Sequence, residues 1–91
     1  MGEIRKRITF HGRVQGVGFR YTARLAAGSL GLTGWAKNEY DGTVTMEVQG
    51  SEGMINKLLV RLNTDQFIRI EWMDSEEIPI REDEKGFQIK Y

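Results

Sequence analysis

Apolar residues recur with two different periods along this chain, and the order of those periods leaves few folds open. Ile4, Ile8 and Phe10 alternate with Arg5, Arg7 and Thr9, which predicts a half-buried strand interrupted by Lys6. Phe19, Ala23, Ala26 and Leu30 then recur at helical spacing, predicting a helix from Phe19 to Leu30 with Gly31 as its stop. Thr33 to Tyr40 reads as a second strand, Asp41-Gly42 as a hairpin turn, and Thr43 to Gln49 as a third strand with Val44, Met46 and Val48 on one face. Ser51 is placed to cap a second helix, with Glu52 in its first turn. Met54, Ile55, Leu58, Leu59 and Leu62 form the stripe of that helix, and Asn63-Thr64-Asp65 ends it. Ile68, Ile70 and Trp72 alternate as a fourth strand. Asp74 to Lys85 is polar apart from Ile78, Pro79 and Ile80 and reads as a loop or a weak edge segment. Phe87, Ile89 and Tyr91 alternate as a closing strand.

The element order is therefore βαββαβ plus a terminal strand. Both helical stripes are buried together only if the helices lie on one face of a mostly antiparallel sheet, so the expected class is an α+β, ferredoxin-like sandwich. With 91 residues, no internal repeat and no linker, residues 1–91 are expected to form a single domain. A domain of this size buries roughly two thirds of the surface its unfolded chain exposes, so its core must be complete. Cysteine is absent, which excludes disulfides and cysteine-based zinc sites and fits a cytoplasmic protein. Thirteen basic residues balance thirteen acidic ones, so no net field favours nucleic acid or a membrane surface. No apolar run is long enough for a signal peptide or a membrane-spanning helix.

The stretch Gly12-Arg13-Val14-Gln15-Gly16-Val17-Gly18-Phe19-Arg20 joins the first strand to the first helix. Glycines in such a turn let successive amide N–H groups point into one concavity, and the helix N-terminus adds partial positive charge. Arg20, in the first helical turn, brings a planar fork suited to a phosphate. The loop is not a Walker A sequence, because no Gly-Lys-Ser/Thr follows the glycines. It is not a dinucleotide fingerprint either, because Gly16-x-Gly18 lacks the third glycine and the later acidic partner. The bland alternative is a strand-to-helix connection with spare glycines.

The residues themselves tip that balance. Gly12-x-Val14-Gln15-Gly16-Val17-x-Phe19-Arg20 resembles the first signature of the acylphosphatase family. Gly31-Leu32-x-Gly34-Trp35-Ala36-Lys37-Asn38-x-x-Asp41-Gly42-Thr43-Val44 resembles its second, and Gly86-Phe87-Gln88-Ile89-Lys90-Tyr91 is similar to its closing strand. The resemblance runs in order from Ile4 to Tyr91 and implies the same ferredoxin-like fold. It also implies hydrolysis of the carboxyl-phosphate anhydride of small acyl phosphates, with inorganic phosphate as product or inhibitor and no cofactor or metal. On this resemblance the amides of Gln15, Gly16, Val17, Gly18, Phe19 and Arg20 cradle the phosphate, Arg20 binds its oxygens, and Asn38 holds the attacking water. An amide is no general base at neutral pH, but it both accepts from and donates to a water. Neither signature supplies an obvious base, although Glu39 and Asp41 are near Asn38 in sequence. The chain departs from the family at Gly28-Ser29, where a glycine in a helix costs about 1 kcal/mol against alanine. It also lacks the Gly-Pro-rich turn over Asn63 to Phe67.

Other residues take plainer readings. His11, the only histidine, is expected at a strand end and solvated, with no second histidine or cysteine for a metal. Arg5, Lys6 and Arg7 read as a solvated basic face, Trp35 as a packing residue, Asp41-Gly42 as the turn itself. Without the family resemblance, Asn38 reads as a polar strand-end residue bonded to the hairpin backbone. Two rival functions are set against the enzyme. A non-catalytic acylphosphatase-like phosphate-binding module is the first, and such a domain also begins large hydrogenase-maturation proteins. This chain stops at its closing strand, which favours a free-standing enzyme, and a monomer is the default expectation. An RNA-binding ferredoxin-like module is the second; it needs aromatics on the central strands, and Thr43 to Val48 carries none.

Overall fold

The computed structural model describes residues 2–91. Its elements are β1 (Ile4–Arg13), α1 (Phe19–Ser29), β2 (Thr33–Asn38), β3 (Val44–Gly50), α2 (Glu52–Asn63), β4 (Arg69–Ile78) and β5 (Phe87–Lys90). The sheet order is β4-β1-β3-β2-β5. β1 pairs antiparallel with β3 and β4, β2 pairs antiparallel with β3, and β5 alone runs parallel to its neighbour β2. The ferredoxin-like α+β arrangement expected from the periodicities is the one observed.

The core is the helix-facing half of the pattern. Ile8 and Phe10 of β1, Ala36 of β2 and Val44, Met46 and Val48 of β3 are buried against Phe19, Ala23, Ala26 and Ala27 of α1 and Ile55, Leu58 and Leu62 of α2. The rings of Phe10 and Phe19 meet at 4.8 Å in a tilted pair, which ties the start of α1 to the end of β1 and shapes the intervening loop. α1 stops as expected: the Leu32 amide donates to Ala27 O and the Gly31 amide to Gly28 O, a Schellman closure. Ser51 caps α2 by accepting from the Met54 amide at 3.3 Å.

One open expectation is decided and another is corrected. β4 continues to Ile78, through residues expected to be loop or weak edge. It is an edge strand exposed along most of its length, so it carries no apolar alternation and is held by its ladder to β1. Charge helps fix that register, because Glu76 stands opposite Arg7 and Glu77 opposite Lys6. The basic run is not a solvated face at Arg5, which is fully buried. Arg5 Nε donates to Glu47 Oε1 at 3.0 Å, and its two terminal nitrogens grip both oxygens of Glu84 at 2.7 and 3.1 Å. Gln49 accepts from the Arg81 amide and donates to the Arg81 carbonyl, so the segment after β4 is drawn over Arg5.

Candidate active site

A concavity of about 370 Å³ opens where β1, β2 and β5 end beside α1. Its wall includes Gly16, Gly18, Phe19 and Arg20 from the loop and helix start, and Asn38 from the end of β2. Gly16 and Gly18 have φ of 73° and 79°, the left-handed region where a side chain would be strained. Gly18 is also the residue from which α1 departs, and no side chain caps that end and no acidic residue lies in its first turn. α2 differs on both counts, with Ser51 capping it and Glu52 in its first turn. The N-terminal amides of α1 are thus left without an internal anion.

Gln15 and Val17 do not line the concavity. The Gln15 side chain instead reaches the β2–β3 turn, where Nε2 donates to Glu39 O at 2.7 Å and Thr43 O at 2.9 Å. These two bonds tie the glycine loop to the hairpin that carries Asn38. The turn is completed by Asp41, whose Oδ1 accepts from the Thr43 hydroxyl at 2.7 Å and the Thr43 amide at 3.0 Å. The Thr43 hydroxyl, then its amide, hold the Asp41 carboxyl below the ordinary carboxylate range. The side-chain bonds to the hairpin backbone come from Gln15 and Asp41 rather than from Asn38. Its half-buried side chain faces the concavity, and neither Glu39 nor Asp41 lines it.

Arg20 is positioned from the far end of the chain. Its Nη1 donates to Lys90 O at 2.9 Å, and its guanidinium lies 4.9 Å from the centroid of the Tyr91 ring. One helical turn on, Arg24 also lines the concavity, and no Asp or Glu side chain does. Sequence reasoning named Arg20 and Asn38 but missed Arg24 and Tyr91. The i, i+4 spacing of Arg20 and Arg24 on a predicted helix was the available signal for Arg24. Among the described residues, no three of His, Asp or Glu gather as a metal site. His11 lies away from the concavity, stacked on Trp72 at 4.2 Å with Nε2 2.8 Å from Asp74 Oδ2. Trp35 packs under the Lys90 ammonium, 4.4 Å from its ring centroid.

This is a ferredoxin-like protein whose cleft carries two guanidiniums and no Asp or Glu side chain. The acylphosphatase pattern matches residues 6–89, and the chain belongs to the acylphosphatase family. A Clostridium acetobutylicum acylphosphatase is 44% identical over 81 residues, 88% of this chain and 89% of that one. The crystal structure of acylphosphatase from Bacillus subtilis superposes with a TM-score of 0.88 at 32% identity, covering 97% of this chain and 99% of that one. Full-length HypF, in a phosphate- and nucleotide-bound form, contains a similar region at TM-score 0.87 and 25% identity, only 12% of its chain.

Proposed function

We propose that this protein is an acylphosphatase that hydrolyses small acyl phosphates to a carboxylate and inorganic phosphate. The observation that carries the reading is convergence: Gly16, Gly18 and Arg20 of the first signature and Asn38 of the second line one cleft. The phosphoryl group sits on the amides of the loop residues that line the cleft, Gly16 and Gly18 to Arg20, with the Arg20 guanidinium on its oxygens. Much of that charge is already present in the ground state, so only the part of the Arg20 interaction that strengthens in the transition state accelerates the chemical step.

Asn38 holds a water in line with phosphorus, accepting through Oδ1 and donating through Nδ2. The water oxygen attacks phosphorus, the bond from phosphorus to the acyl oxygen breaks, and the carboxylate leaves with the bond pair. The water's proton passes to a phosphoryl oxygen of the substrate. No protein base is assigned, since Asp41 is engaged with Thr43 and lies outside the cleft wall. Positioning of this kind supplies several kcal/mol of a barrier. No Asp, Glu or His side chain lines the cleft, and the reading assigns no metal.

In this reading residues 1–91 are one domain, acting as a cytoplasmic monomer without nucleic-acid or membrane partners. The likeness to part of HypF keeps a non-catalytic phosphate-binding module as the second reading. Purified protein should hydrolyse benzoyl phosphate steadily, with inorganic phosphate as a competitive inhibitor. Phosphate binding without turnover would establish the non-catalytic module instead.

A further inference from the structure

Arg24 has no task in the reaction above, yet it lines the same cleft as Arg20. The two residues are four apart on α1, which sets their Cβ atoms about 5–6 Å apart on one helix face. Ion pairs among the described residues engage Arg5, Arg7, His11 and Arg81, and neither Arg20 nor Arg24. The contact that Arg24 makes is with the Tyr21 ring, 5.5 Å from the guanidinium carbon to the centroid. Both side chains of that pair are exposed. Like charges at this spacing repel, and no Asp or Glu side chain on the cleft wall offsets them.

We propose that Arg24 is a specificity-determining residue that binds a second anionic group on the acyl part of the substrate. The inference rests on the acyl phosphate reading of the cleft and names its substrate class: acyl phosphates whose acyl part carries a carboxylate or a further phosphate. A phosphoryl group held by the loop and Arg20 leaves the second guanidinium unmatched. In-line attack by a water on Asn38 sends the leaving carboxylate to the opposite side of phosphorus, away from the end of β2. The cleft walls that remain are α1 and the segment at the end of β5, and the cation that α1 adds beyond Arg20 is Arg24. An anion there bridges toward Arg24 and removes the repulsion between the two guanidiniums.

The test compares kcat/KM for benzoyl phosphate with that for 3-carboxybenzoyl, 4-carboxybenzoyl and 3-phosphooxybenzoyl phosphate. The wild type should prefer at least one anionic substrate by about fivefold, the scale of an exposed ion pair. The arm that is preferred distinguishes a carboxylate from a phosphate as the second group. Arg24→Gln should abolish the preference, Arg24→Glu should invert it, and added salt should shrink it in the wild type. Benzoyl phosphate should lose less than the preferred substrate in both variants. Melting curves check that the fold is intact at this exposed position. A wild-type ratio near one, or a preference that survives Arg24→Gln, overturns the inference while steady benzoyl phosphate hydrolysis leaves the reaction standing. Failure to hydrolyse any of the four overturns the reaction and the inference together.

Discussion

Gln15 offers the sharpest test of how the site is built, because its side chain holds the loop without lining the cleft. Gln15→Ala removes two hydrogen bonds, to Glu39 O at 2.7 Å and Thr43 O at 2.9 Å. Each carbonyl keeps one other donor: Glu39 O accepts from the Gly42 amide and Thr43 O from the Glu39 amide. The loss is thus two ordinary bonds rather than two orphaned acceptors, about 2 kcal/mol in all. For a domain of this size that lowers Tm by about 10 °C. The loop and Asn38 would also lose their tie, and a misplacement of about 1 Å costs on the order of 10²-fold in rate. KM for benzoyl phosphate should rise less than kcat falls, since Arg20 and the glycine loop remain. Gln15→Glu should be worse than Gln15→Ala, because a carboxylate would face two carbonyl oxygens with no donor. Thermal melts and steady-state kinetics read both effects. A Gln15→Ala protein with unchanged Tm and kcat would refute the tie.

Arg20→Lys should lose both rate and phosphate affinity, because a lysine lacks the planar fork and the donor that reaches Lys90 O; near-normal kinetics and phosphate inhibition would show that another group holds the anion. Asn38→Ala should drop kcat on the order of 10²-fold with phosphate inhibition retained, and Asn38→Asp should stay low because a carboxylate repels the phosphoryl group. His11→Ala, outside the cleft, should keep its activity, and its collapse would move the proton chemistry to His11. Activity should survive exhaustive chelation; loss with recovery on adding one metal would overturn the metal-free mechanism. Stability should fall in acid: burial works to raise the Glu47 and Glu84 carboxyls, but the Arg7 and Arg5 hydrogen bonds on Glu47, and the Arg5 bonds on Glu84, bring both below the ordinary value of 4.5. Their contribution is present above that value and is lost as pH falls through the lower folded values, so Glu84→Gln should flatten the acid limb of a melting series.

The helix-facing half of the fold was legible because burial there is one-sided. Val44, Met46 and Val48 alternate with polar neighbours, and the two helical stripes include every buried residue of α1 and α2 except Ala27, with Leu30, Met54 and Leu59 only partly buried. β4 beyond Trp72 was not legible, because a strand solvated on both faces has no reason to alternate. The burial of Arg5 was hidden for another reason. Its partner Glu84 lies 79 residues away, and only the sheet order brings the segment after β4 over β1. In the cleft, Arg20 and Asn38 were legible through the family signatures rather than through their chemistry alone. The Gln15 side chain was assigned no separate role, since its partners are backbone carbonyls that no residue type advertises.

The two polar constructions of this protein stand at opposite ends of β1. Arg5 organises Glu47, Gln49 and Glu84 near the start of the strand, whereas Arg13 leads into the glycine loop. Arg5 and Arg13 are eight residue steps apart along the strand, about 26 Å at 3.3 Å per step. The Arg5 cluster, with a fully buried guanidinium on two carboxylates, is the costlier one to break, because removing one partner leaves buried charge uncompensated. Its carboxylates are saturated by arginines and cannot draw Arg20 or Arg24 away from the cleft. Stability and charge balance are thereby settled on the open face of the sheet, and the cleft is left with two arginines that no Asp or Glu side chain pairs. Changes at the two ends share no partner and lie well beyond the 7–10 Å at which substitutions couple, so their effects on stability should add.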